Sequence, residues 1–80
     1  MQLLKSDLPG PSQQIAVRVN GRHLNVAPDT SVAQLLVEIG IRSALVAVEV
    51  NLDLVPKQSH ATRLLQAGDE VEVVTVVGGG

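Results

Sequence analysis

The sequence of 80 residues contains no cysteine and no aromatic residue. The absence of cysteine excludes disulfides, thiolate metal sites and a cysteine nucleophile, and it fits a reducing compartment such as the cytoplasm. The absence of Phe, Trp and Tyr excludes the stacking platforms on which many proteins bind single-stranded nucleic acids. It also means that the core must be built from Val, Leu, Ile and Ala.

Excess charge of one sign and long apolar runs are also lacking. The formal net charge is −2 and the charged residues are spread along the chain, so the basic surface of a nucleic-acid-binding protein is absent. No apolar run approaches the roughly 20 residues of a membrane span. Residues 1–5 lack the features of a secretory signal. We therefore expect a cytoplasmic protein with neither a nucleic acid nor a membrane as its partner.

The apolar residues that are present, 45% of the chain, suffice for one small globular domain. We expect residues 1–14 to form a flexible N-terminal extension, because residues 9–12 are turn and linker residues. Residues 15–77 then form the domain, and residues 78–80 form a flexible tail of three glycines.

A β-hairpin is the clearest local prediction. Residues 15–19 and 22–26 each alternate at a period of two, which is typical of strands. Asn20 and Gly21 between them tolerate the positive φ angles that a type I′ turn requires at both central positions.

A short helix is predicted to follow the hairpin. Ser31 and Gln34 have the spacing of a capping box, in which each side chain bonds a backbone N–H group at the start of the helix. Gly40 ends the helix, because glycine enters the left-handed conformation without steric cost. Between these ends, one apolar face is formed at helical spacing by Val32, Leu35, Leu36 and Ile39.

Three further strands complete the predicted domain. They lie at residues 45–50, at residues 54–55 and at residues 70–77, with one short helical turn around residues 59–63. Turns are predicted at residues 51–53 and 67–69. This element order lets the helix cover one face of a mixed sheet of four to five strands, whose first and last strands lie side by side. The expected fold is therefore a β-grasp of the α+β class with one main helix.

Neither the histidines nor the carboxylates form a pattern typical of an active site. His23 and His60 have no further ligand at chelating spacing, so we predict no metal site. Asp69, Glu70 and Glu72 could form an acid–base pair only in a pocket, for which a domain of this size has little room. A solvated acidic edge that steers a basic partner is the favoured interpretation, and we predict no catalytic residue.

The glycines at the end of the sequence carry the predicted chemistry. Gly78, Gly79 and Gly80 have no side chains, so they can stay extended and enter a narrow channel. They reach roughly 10 Å from the domain, at about 3.3–3.6 Å per residue. ATP can convert the Gly80 carboxylate into an acyl-adenylate, and a sulfur nucleophile can then displace AMP and leave a thiocarboxylate. A partner must supply all catalysis.

The last strand predicts a binding surface beside this tail. One of its faces changes from two glutamates to Val74 and Val76 as the tail approaches. If Val71 and Val73 face the helix, the apolar end points outward, and an exposed apolar patch usually marks a partner site. We predict a partner-binding patch of Val74, Val76, Leu45, Ala47 and Arg18.

From Ile15 to Gly80 the sequence resembles the ThiS sulfur-carrier family of thiamin biosynthesis. The extension at residues 1–14 departs from the family, whose members usually begin close to the first strand. The resemblance covers most of the chain and is carried by features in this order: the valine-rich first strand with Asn20-Gly21, SVAQLL at 31–36, VEVN at 48–51, Val55-Pro56, AGD at 67–69 and VVGGG at 76–80.

The resemblance implies a ubiquitin-like β-grasp fold and a carrier that is not itself an enzyme. It implies that an E1-like, ThiF-type enzyme uses Mg-ATP to adenylate Gly80, and that a sulfur-relay enzyme supplies the sulfur of the thiocarboxylate. Gly78, Gly79 and Gly80 then insert into a ThiG-type thiazole synthase, which takes the sulfur for the thiazole ring. No permanently bound cofactor is implied.

Several alternatives stay open on the sequence alone. The small subunit of molybdopterin synthase (MoaD-type) uses the same tail chemistry in a different enzyme, although the short helix and tight loops favour the thiamin carrier. A carrier for cysteine or thionucleotide synthesis, or a ubiquitin-like modifier conjugated to lysines, is a second alternative. A passive β-grasp interaction module with incidental glycines belongs to another class.

Overall fold

Five strands form one mixed sheet in the computed structural model, which describes residues 13–42 and 45–75. The predicted domain boundaries at residues 14 and 77, and the predicted extension and tail, fall largely outside these residues and stay predictions. Along the chain the elements are β1 (Ile15–Val19), β2 (Arg22–Val26), α1 (Val32–Glu38), β3 (Val46–Val50), β4 (Asp53–Val55), a 3-10 helical turn (Lys57–Ser59) and β5 (Glu70–Thr75).

The strand order in the sheet is β2-β1-β5-β3-β4. β1 and β5 run parallel, with Arg18 opposite Glu70 and Val19 opposite Val71, and the other strand pairs are antiparallel. The first and last strands therefore lie side by side, and β5 is flanked by β1 and β3. This topology confirms the predicted α+β arrangement with a mixed sheet.

Both hairpins turn on two residues with positive φ. Asn20 and Gly21 have φ angles of 50° and 84°, as the type I′ prediction requires. The turn between β3 and β4 uses Asn51 at 53° and Leu52 at 72°. It was predicted to span three residues, but β4 already begins at Asp53.

The capping box predicted for α1 is present. Ser31 Oγ accepts from the Gln34 N–H at 3.1 Å, and Gln34 Oε1 accepts from the Ser31 N–H at 2.9 Å. At the other end Gly40 has φ of 82°. The N–H groups of Gly40 and Ile41 bond back to carbonyls of the last helical turn at 3.1 and 2.8 Å, which is a Schellman ending.

Buried aliphatic side chains fill the space between α1 and the sheet. Val32, Leu35 and Leu36 supply the helix side of this core, and Ile39 packs against it half-buried. Alternate valines supply the sheet side, so each strand has one buried and one exposed face. The sheet valines are Val17, Val19, Val26, Val48, Val50, Val55, Val71 and Val73. The prediction that Val71 and Val73 face the helix is confirmed.

Two predicted segments differ in extent from the structure. The third strand begins at Val46, one residue later than predicted. The helical turn begins at Lys57 rather than Ser59, directly after Pro56, whose restricted φ of −58° suits a helix start. An N–H bond from Arg63 to the Ser59 carbonyl at 2.9 Å adds a single α-turn behind it. Within the described ranges, no helix is both long and apolar enough to cross a membrane.

Candidate functional site

β5 is the strand that leads toward the predicted tail. Its last described residue, Thr75, lies opposite Val46 of β3. The tail residues Gly78, Gly79 and Gly80, together with Val76 of the predicted patch, lie outside the described residues. The part of the site that the structure describes is therefore the end of β5. Its buried side chains pack in the core, and the sequence continues from it to the glycines.

Asn20 fixes β5 near this base. Its side-chain Nδ2 donates to the Val73 carbonyl at 3.1 Å, and its Oδ1 accepts from the Val73 N–H at 2.7 Å. The Asn20 backbone N–H also donates to the Val71 carbonyl at 2.8 Å. β1 ends at Val19 and offers no backbone partner to Val73. The Asn20 carboxamide therefore takes the place that a further residue of β1 would have. Sequence reasoning treated Asn20 only as a turn residue and missed this role.

Asp69 and Asn51 fix the opposite end of β5. Asp69 is only 8% exposed, and its carboxylate accepts from Asn51 Nδ2 at 3.0 Å and from the Gln66 N–H at 2.8 Å. Asn51 also exchanges two bonds with Glu70, because its Oδ1 accepts from the Glu70 N–H and its N–H donates to the Glu70 carbonyl. Asp69 is thus a structural acceptor.

The two other acidic residues of the predicted edge lie on the exposed face of β5. Glu70 forms an ion pair with Arg18 at 3.6 Å, with both side chains about half exposed. Glu72 lies directly opposite Glu49 of β3. This placement fits the solvated acidic edge favoured by the sequence for Glu70 and Glu72. The prediction was wrong for Asp69, whose carboxylate is buried.

The predicted partner-binding patch is divided by the strand register. Ala47 lies opposite Val74 on the exposed face, and Leu45 and Val74 are 56% and 58% exposed. Arg18 instead lies opposite Glu70, four residues before Val74. At about 3.4 Å per residue this separates Arg18 from the apolar end of β5 by about 14 Å.

Sequence reasoning missed two exposed leucines next to this face. Leu54 is 64% exposed and lies opposite Glu49, which places it on the exposed face of the sheet. Leu52, in the turn before it, is 87% exposed. The alternation of Leu54 with buried Val55 was the available signal, since it requires one of the two to point outward.

The two histidines lie in different environments, one buried and one exposed. His60 is buried, its Nε2 lies 3.1 Å from the Val55 carbonyl, and its own carbonyl accepts from the Ala33 N–H at the start of α1. His23 lies exposed in β2, opposite Arg18. Across residues 13–42 and 45–75, no three His, Asp or Glu side chains group as metal ligands would.

A mixed sheet with parallel first and last strands, one capped helix on a single face and a last strand that leads to glycines defines the ubiquitin-like β-grasp class. The sequence pattern of the ThiS family matches residues 8–80. The chain therefore belongs to the ThiS family, the sulfur carriers of thiamin biosynthesis that its sequence resembles.

A solved structure has the same fold over the whole of its length. The crystal structure of the thiamine biosynthesis protein ThiS from Geobacter metallireducens superimposes with a TM-score of 0.71 and 29% identity, covering 82% of this chain and 100% of that one. An uncharacterized protein ycf40 of Pyropia yezoensis is 36% identical over 82% of this chain and 93% of its own length.

Two longer proteins contain a related segment. A thiazole synthase of Paramagnetospirillum magneticum is 44% identical over 78% of this chain, and a thiazole synthase of Magnetococcus marinus is 34% identical over 80%. The chain spans about a fifth of the length of these relatives, 19% and 20%.

Proposed function

We propose that this chain is the sulfur carrier for thiazole formation in thiamin biosynthesis and that its cargo is bound at the carboxylate of Gly80. One observation supports this most directly. The glycines follow β5 in the sequence, and β5 is the central strand of the sheet. Asn20 and β3 hold β5 as far as its last described residues, after which the sequence continues to the glycines.

The proposed chemistry requires two displacement steps. The Gly80 carboxylate oxygen attacks the α-phosphorus of Mg-ATP on an E1-like enzyme, and pyrophosphate leaves. Sulfur at the sulfide level (HS⁻), supplied by a relay enzyme, then attacks the acyl carbon of the adenylate, AMP leaves with the bonding electron pair, and the S–H proton passes to solvent. The product is a thiocarboxylate. The carrier supplies the reacting group, while ATP and magnesium are bound by the partner.

The thiazole synthase relatives support the choice of acceptor. In each of them a segment related to this chain belongs to a polypeptide named for thiazole synthase. Two activities that share one polypeptide in some organisms commonly interact as separate chains in others. We infer that this chain's tail, residues 78–80, inserts into a thiazole synthase and donates its sulfur there.

Growth without thiamin tests the proposal in the source organism. A strain that lacks this gene should need thiamin, and the intact gene should remove that need. Deleting Gly80, or adding one alanine after it, should abolish the rescue, because the reacting carboxylate is lost or displaced. An alanine added before Met1 is the matched control and should rescue fully.

Two results would contradict the proposed function. Full rescue by the Gly80 deletion would favour a passive interaction module. A requirement for molybdopterin products instead of thiamin would assign the chain to the related synthase subunit. Thermal unfolding of each variant shows whether the tail change has affected the fold.

A further inference from the structure

β2 forms an open edge of the sheet. The strand order β2-β1-β5-β3-β4 places it at one end, and among residues 13–42 and 45–75 it pairs with β1 alone. An open edge strand exposes backbone N–H and C=O groups that can pair with another chain. Proteins commonly block such edges with proline, with bulges or by keeping the edge strand very short. The residues and register of β2 therefore decide whether this edge can pair.

The two edges of the sheet differ in this respect. The five residues of β2, RHLNV, contain neither proline nor glycine, and their register with β1 is unbroken. The opposite edge strand, β4, has three residues and is followed directly by Pro56, which has no N–H group to offer. β2 is thus the edge that is better able to accept a further strand.

The hydrogen bonds of β1 show which groups of β2 point outward. The Arg18 N–H and the Ala16 carbonyl bond to the segment before β5, at 2.9 and 2.8 Å, so both residues bond away from β2. In an antiparallel pair, the residue opposite such a residue also bonds away from its partner strand. His23 is opposite Arg18, and Asn25 is opposite Ala16. His23 and Asn25 therefore each point one N–H and one C=O group out from the open edge.

An apolar side chain lies between these two residues. Leu24 points to the helix side of the sheet, where it packs half-buried against the core. Together with Val19 and Ile39 it lines a depression between β2 and the end of α1, and Arg22 lies at the same depression. A strand added to β2 would cover Leu24 as well as pair the outward backbone groups.

The two ends of this edge carry opposite charge. The basic Arg22 lies at the hairpin end of β2. Beyond the other end, the acidic Asp29 and Glu38 line a second depression together with Ala27. A strand that pairs with β2 is therefore favoured when it brings an acidic group to the first end and a basic group to the second.

We propose that two copies of this chain pair along β2 in antiparallel orientation and join their five-stranded sheets into one continuous sheet. In the register centred on Leu24, His23 of each copy is opposite Asn25 of the other, so all the outward groups of both residues are paired. The two Leu24 side chains meet at the two-fold axis. Sliding one copy by two residues puts His23 opposite His23, or Asn25 opposite Asn25, and pairs fewer of these groups. Hereafter this assembly is called the edge dimer.

The edge dimer meets the charge pattern with one kind of chain. A two-fold axis makes each contact twice, with the two ends of the strand exchanged. Arg22 of one copy is opposite Val26 of the other, directly before the loop that leads to Asp29 and to the depression lined by Glu38. The basic end of each copy thus lies at the acidic end of the other. This complementarity favours a second copy as the occupant.

The edge dimer leaves the end of β5 accessible. β1 separates β2 from β5 in the sheet, so the contact goes beyond the proposed function and does not require it. An edge of five residues buries less surface than a permanent dimer needs. We therefore expect a weak dimer whose population rises with concentration.

Sedimentation equilibrium of the full chain over a series of concentrations tests the edge dimer. The mean mass should rise from that of one chain toward that of two. Asn25→Pro should stay at the mass of one chain, because proline removes an outward N–H group and its ring blocks the edge. The variant should still fold, since this N–H is not bonded to β1. Asn25→Ala is the matched control, because it keeps the N–H group and should dimerise like the wild type.

Charge reversal tests the orientation of the two strands. Arg22→Glu should raise the dissociation constant of the dimer about tenfold, because an acidic side chain at position 22 would lie near Asp29 and Glu38 of the second copy. Adding Glu38→Arg to the same chain should recover most of this loss. A double variant no tighter than Arg22→Glu alone would overturn the antiparallel register. The Tm of each variant, measured where the wild type is monomeric, shows whether the fold is kept.

Amide hydrogen exchange locates the contact. The N–H groups of His23 and Asn25 should exchange slowly only where the dimer forms, whereas that of Leu24, bonded within the hairpin, should exchange slowly at every concentration. A mass of one chain at every concentration would overturn the second copy as the occupant. A dimer that Asn25→Pro leaves intact would overturn β2 as the contact. Slow exchange of His23 and Asn25 at every concentration would place a segment of the same chain on this edge and would also overturn the edge dimer.

Discussion

At the scale of single residues, two asparagines with positive φ bond β5 near its two ends. The Asn20 side chain bonds Val73 through both its Nδ2 donor and its Oδ1 acceptor. Asn51 bonds Glu70 through its side-chain Oδ1 and its backbone N–H. An amide side chain can therefore continue a ladder of backbone bonds where the neighbouring strand has ended. Asn20 thus replaces β1 beside Val73 and Asn51 replaces β3 beside Glu70, while the other neighbouring strand continues alongside β5.

Replacing Asn20 by glycine tests this role. Glycine keeps the positive φ but removes both bonds to Val73, so we expect the free energy of unfolding to fall by about 2 kcal/mol. Urea unfolding measures the change. Asn25→Ala, at an exposed position of β2, is the control and should change stability by less than about 0.5 kcal/mol. An equally small change for Asn20→Gly would show that the amide does not stabilise β5.

The turn role of Asn20 was predictable from the sequence, whereas its bonds to Val73 were not. Asn20-Gly21 between two alternating segments is a local signal of a type I′ turn. The partner Val73 is 53 positions away, and it meets the side chain only because β1 and β5 are parallel in one register. A local pattern contains no information on that register.

At the scale of elements, α1 is stabilised from both ends and by a distant loop. It has 7 residues, too few for a stable isolated helix. The first N–H groups of α1 are bonded to Arg63 and His60 carbonyls at 2.9 and 2.8 Å and to Ser31 Oγ at 3.1 Å. The segment after β4 thus serves as part of the helix N-terminal cap.

The Ser31→Ala variant measures how much the Ser31 side chain contributes to stability by capping α1. Loss of the Oγ acceptor leaves the Gln34 N–H unsatisfied, so we expect the free energy of unfolding to fall by about 1 kcal/mol. Chemical unfolding gives the value. Glu38→Ala, exposed in the same helix, should have almost no effect and serves as the control. A Ser31→Ala variant as stable as the wild type would mean that the loop alone caps the helix.

The helix and its ends illustrate which elements a sequence determines locally. The capping box, the apolar face and the glycine ending lie within ten positions of one another, and all three were predicted. The helical turn at Lys57–Ser59 was predicted two residues too late, because Pro56 was not used as the signal of a helix start.

At the scale of the whole molecule, the sheet has one covered and one open face. Valines of all five strands and one leucine-rich helix face close the inner side, and this division follows from the period-two and helical patterns together. The outer face was harder to predict. Which residues meet on this face depends on which strands are neighbours. The predicted partner-binding patch therefore combined Arg18 with Val74 and left out Leu54.

The role of the glycine end was predicted from sequence position alone and stays a prediction, because its chemistry depends on partner enzymes. In the proposed function the domain supplies recognition, and the partner enzymes supply the catalysis. The family, and the thiazole synthases that contain a related segment, support the proposed role of this chain in thiazole formation.

The most direct test is the intact mass of the carrier after reaction with its adenylating enzyme, Mg-ATP and a sulfur donor. We predict a mass increase equal to the exchange of one oxygen for sulfur, located at Gly80 by fragmentation and absent when ATP is omitted. Two results would contradict the proposed function. One is an unchanged carrier mass in a reaction whose enzyme is shown to be active on a different carrier. The other is a sulfur atom located elsewhere in the chain.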